Sequence, residues 1–555
     1  MNARAIVALG LSALLFCTFV VGFNFGGVKA SDTDPVHNIN TGLSYASIQD
    51  AINAPETMNG HTILVDAGTY SIAPTESIVV NKSLSIIGSG SNTTVINGGE
   101  GGTFVVHVVA SNVLIEGFAI NGSLGITFGV YFDHSDNSVL RDSSIANVTY
   151  NDGYAVYAAY SNSLTIDQNV VGPDTSSGIL ITNSLDFNVS GNYVHNNSPG
   201  YGINANASLD GLITGNNAYE NYYDGIGLAS GSKNITITKN NISNNELFGV
   251  DVIDPDCVDN VIYDNNITGN GKQASVSDVS PNSWDNGVEG NYWSDYQTMY
   301  PSAFEIAGSG IWDTPYVLSA NDTDNFPLMG PFSVFATSLG FDVDVVSNSS
   351  IASFVYFLWN GSIMMDVGST TVGQTFGFCR VSIPHGLMSE PYNVTVDGAN
   401  PLYWNYTVYD DGASRWIYFL YPSSDSEVLI RGRSPPPTVS IISPENKTYT
   451  VTDVPLTFAV NENTSLAYSL DGHSNVTITG NTTLPGVSNG THSLVLYARN
   501  GFGDVSNSGI VYFTVIATAS GPFPFLLVTV VAIVLVLAVA LVYLRKRTRR
   551  RGKNG

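Results

Sequence analysis

The chain has 555 residues, of which only 12% are charged and 43% hydrophobic, and its formal charge is −26. Low charge with this much apolar content excludes a disordered chain and reads as folded β structure, with length enough for several domains. The acidity excludes nucleic acid as a partner, since a negative surface repels phosphate and attracts cations.

In chain order, Arg4 precedes an apolar run from Ala5 to about Phe25, and Val28-Lys29-Ala30 has the look of a small-residue cleavage site. This predicts a removed secretory signal over 1–30, with an uncleaved N-terminal anchor as the alternative. Phe16 before Cys17 is wrong for a lipidated cysteine. Ser47-Ile-Gln-Asp50 has capping-box-like spacing, and Ala51-Ile52-Asn53-Ala54 continues a short amphipathic helix fit to close the end of a core. Two β-rich runs follow, His61–Tyr70 and Lys82–Gly88.

From Asn112 onward a short phrase returns about every 24 residues, at 111, 136, 161, 185, 233 and 259, each time leading to an Asn-rich turn. Aligned on Gly129, Gly178, Gly202, Gly225 and Gly249, the first and third following residues are always small or apolar. That is strand periodicity. Val130, Phe132, Val156, Ala158, Ile179, Ile181, Ile203, Ala205, Ile226, Leu228, Val250 and Val252 should point inward. The second position varies through Tyr131, Tyr157, Leu180, Asn204, Gly227 and Asp251, as an outward face allows. A turn this short has no room for a covering helix, so the expected fold is a right-handed parallel β-helix of roughly ten turns, about 50 Å long. A β-sandwich is the alternative, but sandwiches do not repeat at a fixed period.

The order Ser-Ile-Gln-Asp-Ala-Ile, Ala-Gly-Thr-Tyr, Lys-Ser-Leu-Ser-Ile-Ile-Gly, Thr94-Val-Ile-Asn-Gly98 and then the repeats resembles the NosD-type, pectin-lyase-like β-helix proteins. Gly290-Asn-Tyr-Trp-Ser-Asp-Tyr296, Ile311-Trp-Asp-Thr-Pro-Tyr316 and Asp324-Asn-Phe-Pro-Leu-Met329 resemble their closing turns. The resemblance covers about 40–332 and sets the β-helix domain at 31–332.

Beyond it, 333–432 has strand patterns such as Val355–Ile363, with a hairpin signal at Asn360-Gly361, and reads as a β-sandwich. Residues 433–437 are a Pro-rich linker, and 438–516 resemble the immunoglobulin-like modules of microbial, archaeal-type, surface proteins. Phe523 to Leu544 carries no charge and is long enough to span a bilayer, and 545–555 form a basic tail holding seven of the chain's 20 basic residues. The positive-inside rule then puts the tail in the cytoplasm and the large N-terminal part outside. Outside placement agrees with Asn-X-Ser/Thr acceptors at Asn81, Asn92, Asn147, Asn234, Asn266, Asn348, Asn393, Asn446, Asn475 and Asn489, although Asn-rich turns also produce that motif by chance. Cys257 and Cys379 fall in different predicted domains and read as buried thiols.

The family resembled includes polysaccharide lyases and hydrolases, which implies a sugar-cleaving alternative. A lyase of this kind commonly sets Arg or Lys beside a calcium-binding acidic cluster, and Arg141, the one arginine in 31–330, reads as part of a turn pair with Asp142. Within 31–330 the pectinase signatures Asn-Thr-Asp, Asp-Asp and Gly-His-Gly are absent. Asp224, Asp251 and Asp254 are the carboxylates that neighbouring turns could pair at glycosidase spacing. NosD proteins imply copper handling, for which His107 and His134, expected to stack on successive turns, make a thin ligand set without Cys or Met. Asp251 to Asp259, with Asp254 and Asp256, offers a calcium site on charge grounds.

The best-supported expectation is binding. Tyr131 and Tyr157 share an outward column; Phe128, Tyr154, Tyr201 and Phe248 recur just before the repeat-opening position. Flanked by Asp133, Asp152, Asp224, Asn204, Asn206 and Asp251, they suit a polysaccharide or cell-surface glycan. The bland alternative is that such rings merely cover neighbouring turns. The chain is thus expected to be an anchored surface protein binding carbohydrate in adhesion or envelope organisation, with an extracellular polysaccharide lyase or hydrolase and a copper-handling factor as the competing readings.

Overall fold

The computed structural model of the protein describes residues 34–150, 153–277, 281–306, 308–370, 374–402, 406–422, 426–461, 464–517 and 525–551. The expected signal segment, 1–30, and Asp152 lie outside the described residues.

A parallel β-solenoid forms the first part of the chain, built from three sheets of eleven, ten and nine strands. Each turn gives one strand to each sheet in rotation: Val139–Arg141 to the first, Ser144–Ala146 to the second, Tyr154–Ala159 to the third. The twelve residues expected inward are all at most 1% exposed. In the third sheet they stack in register, as Val130 on Val156 on Ile179 on Ile203 on Ile226 on Val250. Their branched side chains fill a core that no single turn could enclose.

Sharp corners need a particular backbone and a particular way of satisfying polar groups. Between the first and second sheets, Asp142, Gln168, Gly191, Gly215, Lys239 and Asp264 all adopt left-handed φ values of 50 to 65°. The next residue then turns inward. At five of these corners it is an asparagine: Asn169, Asn192, Asn216, Asn240 and Asn265. Each side-chain oxygen from Asn192 to Asn265 accepts the backbone N–H and the Nδ2 of the asparagine one turn before, at 2.9–3.0 Å, and Asn291 continues the stack. A second ladder, Asn197–Asn221–Asn245–Asn270, lines the corner between the second and third sheets. Ser135, Ser161, Ser184, Ser208 and Ser232 line the last corner, each hydroxyl from Ser161 onward accepting the preceding serine's N–H. Buried amides and hydroxyls are tolerable only because each repeat supplies the partner of the one before.

Both ends are closed. Helix Ile48–Asn53 buries Ile48, Ala51 and Ile52 over the first turn, and Ser47 caps it by accepting the Asp50 N–H, as the spacing predicts. At its other end Lys82 Nζ donates to the carbonyls of Ile52, Ala54 and Thr57 at 2.7, 3.0 and 2.8 Å. The far end is sealed by Trp284, Trp293, Tyr296, Trp312 and Tyr316, with Trp293 stacked on Tyr316 at 4.2 Å. Asp324 ends one asparagine ladder by accepting the Asn291 N–H at 2.8 Å.

Next, a five-stranded and a four-stranded antiparallel sheet enclose one core. Strands Ser349–Phe357 and Ser362–Ser369 form the expected hairpin, but through a 3-10 turn over Leu358–Asn360 with Gly361 at φ 54°, longer than a two-residue turn. Three- and six-stranded sheets follow. Cys257 and Cys379 are buried, unpaired thiols.

The nine strands' worth of paired sheet following the solenoid sits against the solenoid corner opposite the third sheet. Asn266 exchanges two hydrogen bonds with the Phe332 backbone, Lys239 pairs with Asp344 at 3.2 Å, and Arg380 pairs with Glu289 at 2.8 Å. Ile311, Leu328, Phe332, Val346, Phe378 and Tyr418 make a small core across this joint. Arg380 and Glu289 border a crevice of about 410 Å³ that also holds Asp264, whose carboxyl is pushed up to about 9 by burial and by facing Glu289.

A C-terminal helix runs Phe525–Arg551. Among the described residues no helix is long and apolar enough to cross a membrane. The expected span, 523–544, falls partly outside the described residues. From Ile533 to Leu544 its large apolar side chains are all exposed.

Candidate functional site

The outward face of the third sheet is the surface that the sequence pattern singled out, and the strand register orders it into two columns. One runs His107, Tyr131, Tyr157, Leu180, Asn204, Gly227, Asp251 and Ser275, each paired with the next across neighbouring strands. The other holds the residue just before each inward glycine or its equivalent: Phe104, Phe128 and Tyr154 pair directly, and Tyr201, Asp224 and Phe248 occupy the same position in later turns, joined by backbone bonds from Gly202 to Asp224 and from Gly225 to Phe248.

At the N-terminal end the two columns form one aromatic patch. Phe104 stacks on His107 at 4.3 Å, His107 on Tyr131 at 5.1 Å with planes 1° apart, and Phe128 on Tyr157 at 4.7 Å. Tyr131 lies 5.0 Å from Tyr157, and Tyr154 closes the set 5.9 Å from Tyr157. All six rings are half-buried. None turns inward. Burial, then the Asp133 charge, pushes the Tyr131 hydroxyl up to about 12, so it stays a hydrogen-bond donor at neutral pH.

Three turns on, the same face is acidic. Asp224 is only 3% exposed although its strand position faces outward, and burial followed by the Asp251 charge raises its carboxyl to about 7. Asp251, on the next turn, is also raised by burial, against the lowering effect of Ser275. Asp224 Oδ1 and Asn204 Oδ1 are buried acceptors without a hydrogen-bond partner. Tyr201 stands beside them, its ring tilted against Tyr223 at 5.1 Å and its hydroxyl raised by burial and then by Asp224. Lys272 closes the face, its Nζ 5.9 Å from the Phe248 ring.

The structure therefore brings Tyr131, Tyr154, Tyr157 and Asp133 together, and Tyr201, Asp224 and Asp251 together, on one face. Sequence reasoning missed Phe104, because Val105 stands where later repeats have glycine, and Tyr223, because it precedes the aligned position. His107 and His134 do not stack on successive turns. His107 lies opposite Tyr131, whereas His134 follows the next strand in a left-handed turn and stacks on Tyr160 at 4.9 Å. Both instead approach Asp133, at 3.6 and 2.6 Å. The expected calcium run also disperses: Asp254 accepts the Ser230 N–H at 2.6 Å and Asp259 occupies a left-handed turn. Among the described residues no three His, Cys, Asp or Glu side chains are grouped to hold a metal. Arg141 reaches back one turn to Glu116 at 2.7 Å, a structural pair on the first sheet.

Residues 128–292 match the family model described as right handed beta helix region. A cell surface glycoprotein of Methanothermus fervidus is 30% identical over 318 residues, covering 50% of this chain, and the chain spans about half (51%) of that relative's length. Among solved structures, the A-module of the Azotobacter vinelandii mannuronan C-5 epimerase AlgE4 aligns at TM-score 0.34 and 18% identity, over 48% of this chain and 81% of that one. The Dettilon tailspike protein aligns at 0.31 and 12% identity, over 66% and 87%. An alginate lyase from Paenibacillus aligns at 0.31 and 18% identity, over 41% and 94%.

Proposed function

We propose that the chain is a cell-surface protein whose right-handed β-helix binds a glycan along the outward face of its third sheet, in adhesion or envelope organisation. The observation that carries this reading is the six-ring patch formed by Phe104, His107, Phe128, Tyr131, Tyr154 and Tyr157. Flat aromatic faces suit the apolar faces of sugar rings, and the Tyr131 and Tyr157 hydroxyls beside Asp133 supply polar contacts to sugar hydroxyls. Among the described residues, the ion pairs of the joint to the following sheets lie at the opposite corner.

Surface placement draws on the surface glycoprotein relative and on acceptor asparagines that are exposed, as at Asn81, Asn92, Asn147, Asn393, Asn446 and Asn475. Others are spent on structure: Asn266 holds Phe332, and Asn348 holds Phe378 and Phe376. The sheets between 333 and 516 serve as a spacer. The helix from 525, whose large apolar residues from Ile533 to Leu544 are exposed, serves as the membrane attachment.

A second reading has its own observation. Asp224, raised to about 7 and next to Asp251, resembles the general acid and partner carboxylate of a glycoside hydrolase. One experiment separates the two. The chain is incubated with a polysaccharide panel; retention without new reducing ends is the result expected for binding, and reducing ends lost in Asp224→Asn would establish hydrolysis.

A further inference from the structure

The acidic half of the third face holds more acceptors than donors: Asp224 is met by the Phe248 backbone and Asp251 by Ser275, and acceptors are left over. Asp224 and Asn204 are outward-facing by strand position, yet 3% and 6% exposed, and each carries an oxygen with no hydrogen-bond partner. Asp251 stands on the turn after Asp224, at the same diagonal step that separates Phe128 from Tyr157, whose rings lie 4.7 Å apart. Among the described residues the charges on the face are Asp133, Asp224 and Asp251, with Asp254 close to Asp251, against Lys272, which lies at its far end over Phe248. His107 is held toward its neutral form by burial, partly offset by Asp133.

A ligand for such a place must bring donors and positive charge. An ammonium has three N–H donors and no acceptor, whereas a uronate would add a carboxylate to carboxylates that have no counter-ion. We propose that the third face takes a glycan bearing protonated amino groups, a hexosamine polymer, its ammonium received by Asp224, Asp251 and the Asn204 oxygen while neighbouring sugar rings lie on the aromatic patch. This rests on the glycan-binding reading above and names the class of glycan.

The test is titration of the full chain with chitosan oligosaccharide, its fully N-acetylated counterpart of equal length, and oligogalacturonate, all in EDTA so that no divalent ion bridges carboxylates. The amino form should bind about tenfold or more tightly than the N-acetylated form, the expectation for charge-assisted hydrogen bonds, and the uronate weakest. Asp224→Asn and Asp251→Asn should each erase the advantage of the amino form over the N-acetylated form. Circular dichroism confirms that these near-isosteric variants fold.

Equal affinity for the three polymers, tighter uronate binding, or an advantage that survives both Asn variants overturns the proposal but leaves glycan binding standing. Binding of oligolysine as tight as that of chitosan, lost in the Asn variants and unaffected by Tyr131→Ala, would reduce the site to ion exchange and also overturn it. If Tyr131→Ala with Tyr157→Ala changes no affinity, or no polymer binds, the glycan-binding reading itself fails.

Discussion

Replacing Asp224 by asparagine should make the solenoid more stable at pH 8 and leave it unchanged at pH 4. The carboxyl is 3% exposed, and burial followed by Asp251 raises it from 3.8 to about 7. A carboxyl raised in the folded state binds its proton more tightly there than in the unfolded chain. Its contribution is therefore fully favourable below about pH 4 and is lost as pH rises to about 7, because the unfolded chain releases the proton first. Three units at about 1.4 kcal/mol each put the cost of the ionised group near 4 kcal/mol above pH 7. Asparagine keeps the shape, removes the charge and can donate to Asp251. Solenoids open locally, so the suitable assay is native-state hydrogen exchange of amides between Gly202 and Phe248 in parent and variant at both pH values. A stability difference that does not change with pH, or a variant weaker at both, would refute the reasoning. A charge that costs stability at neutral pH is the kind of feature that function retains.

Arg380→Met should destabilise the joint by about 3–5 kcal/mol, because Glu289 and Asp264 would remain buried without their guanidinium; calorimetry measures this, and adding Glu289→Gln should recover part of the loss. Asn216→Ala removes the acceptor of the Asn192 N–H and Nδ2 and the donor to Val189 O, costing about 2–4 kcal/mol in denaturant unfolding. Lys82→Met removes the ammonium shared by the Ile52, Ala54 and Thr57 carbonyls at and just past the helix end and should speed amide exchange in Ile48–Asn53 by about tenfold or more, while amides beyond the third turn keep their protection.

What the sequence made legible was whatever repeats. Gly129, Gly178, Gly202, Gly225 and Gly249 marked the strands of the third sheet, and the alternation around them assigned inner and outer columns that the register reproduces. The capping helix was legible because Ser47 and Asp50 interact locally. The polar interior was less so: the Asn-rich turns were visible, but whether Asn216 faces water or another asparagine depends on the left-handed residue before it, and glycine, lysine, glutamine and aspartate all fill that place. The acidic half of the site was read as paired carboxylates. Its burial was not legible, since the outward column Tyr157, Leu180, Asn204, Gly227 and Asp251 follows no rule. His134 and the Asp254 to Asp259 run misled because sequence proximity does not fix the direction of a side chain at a corner.

The most direct test of glycan binding is the affinity of the full chain for its best-retained polysaccharide before and after Tyr131→Ala with Tyr157→Ala. Losing two half-buried rings from the aromatic patch should cost about 1–2 kcal/mol of solenoid stability, so affinity should fall tenfold or more with the fold intact. Unchanged affinity, or a loss of binding that merely follows unfolding, would contradict it.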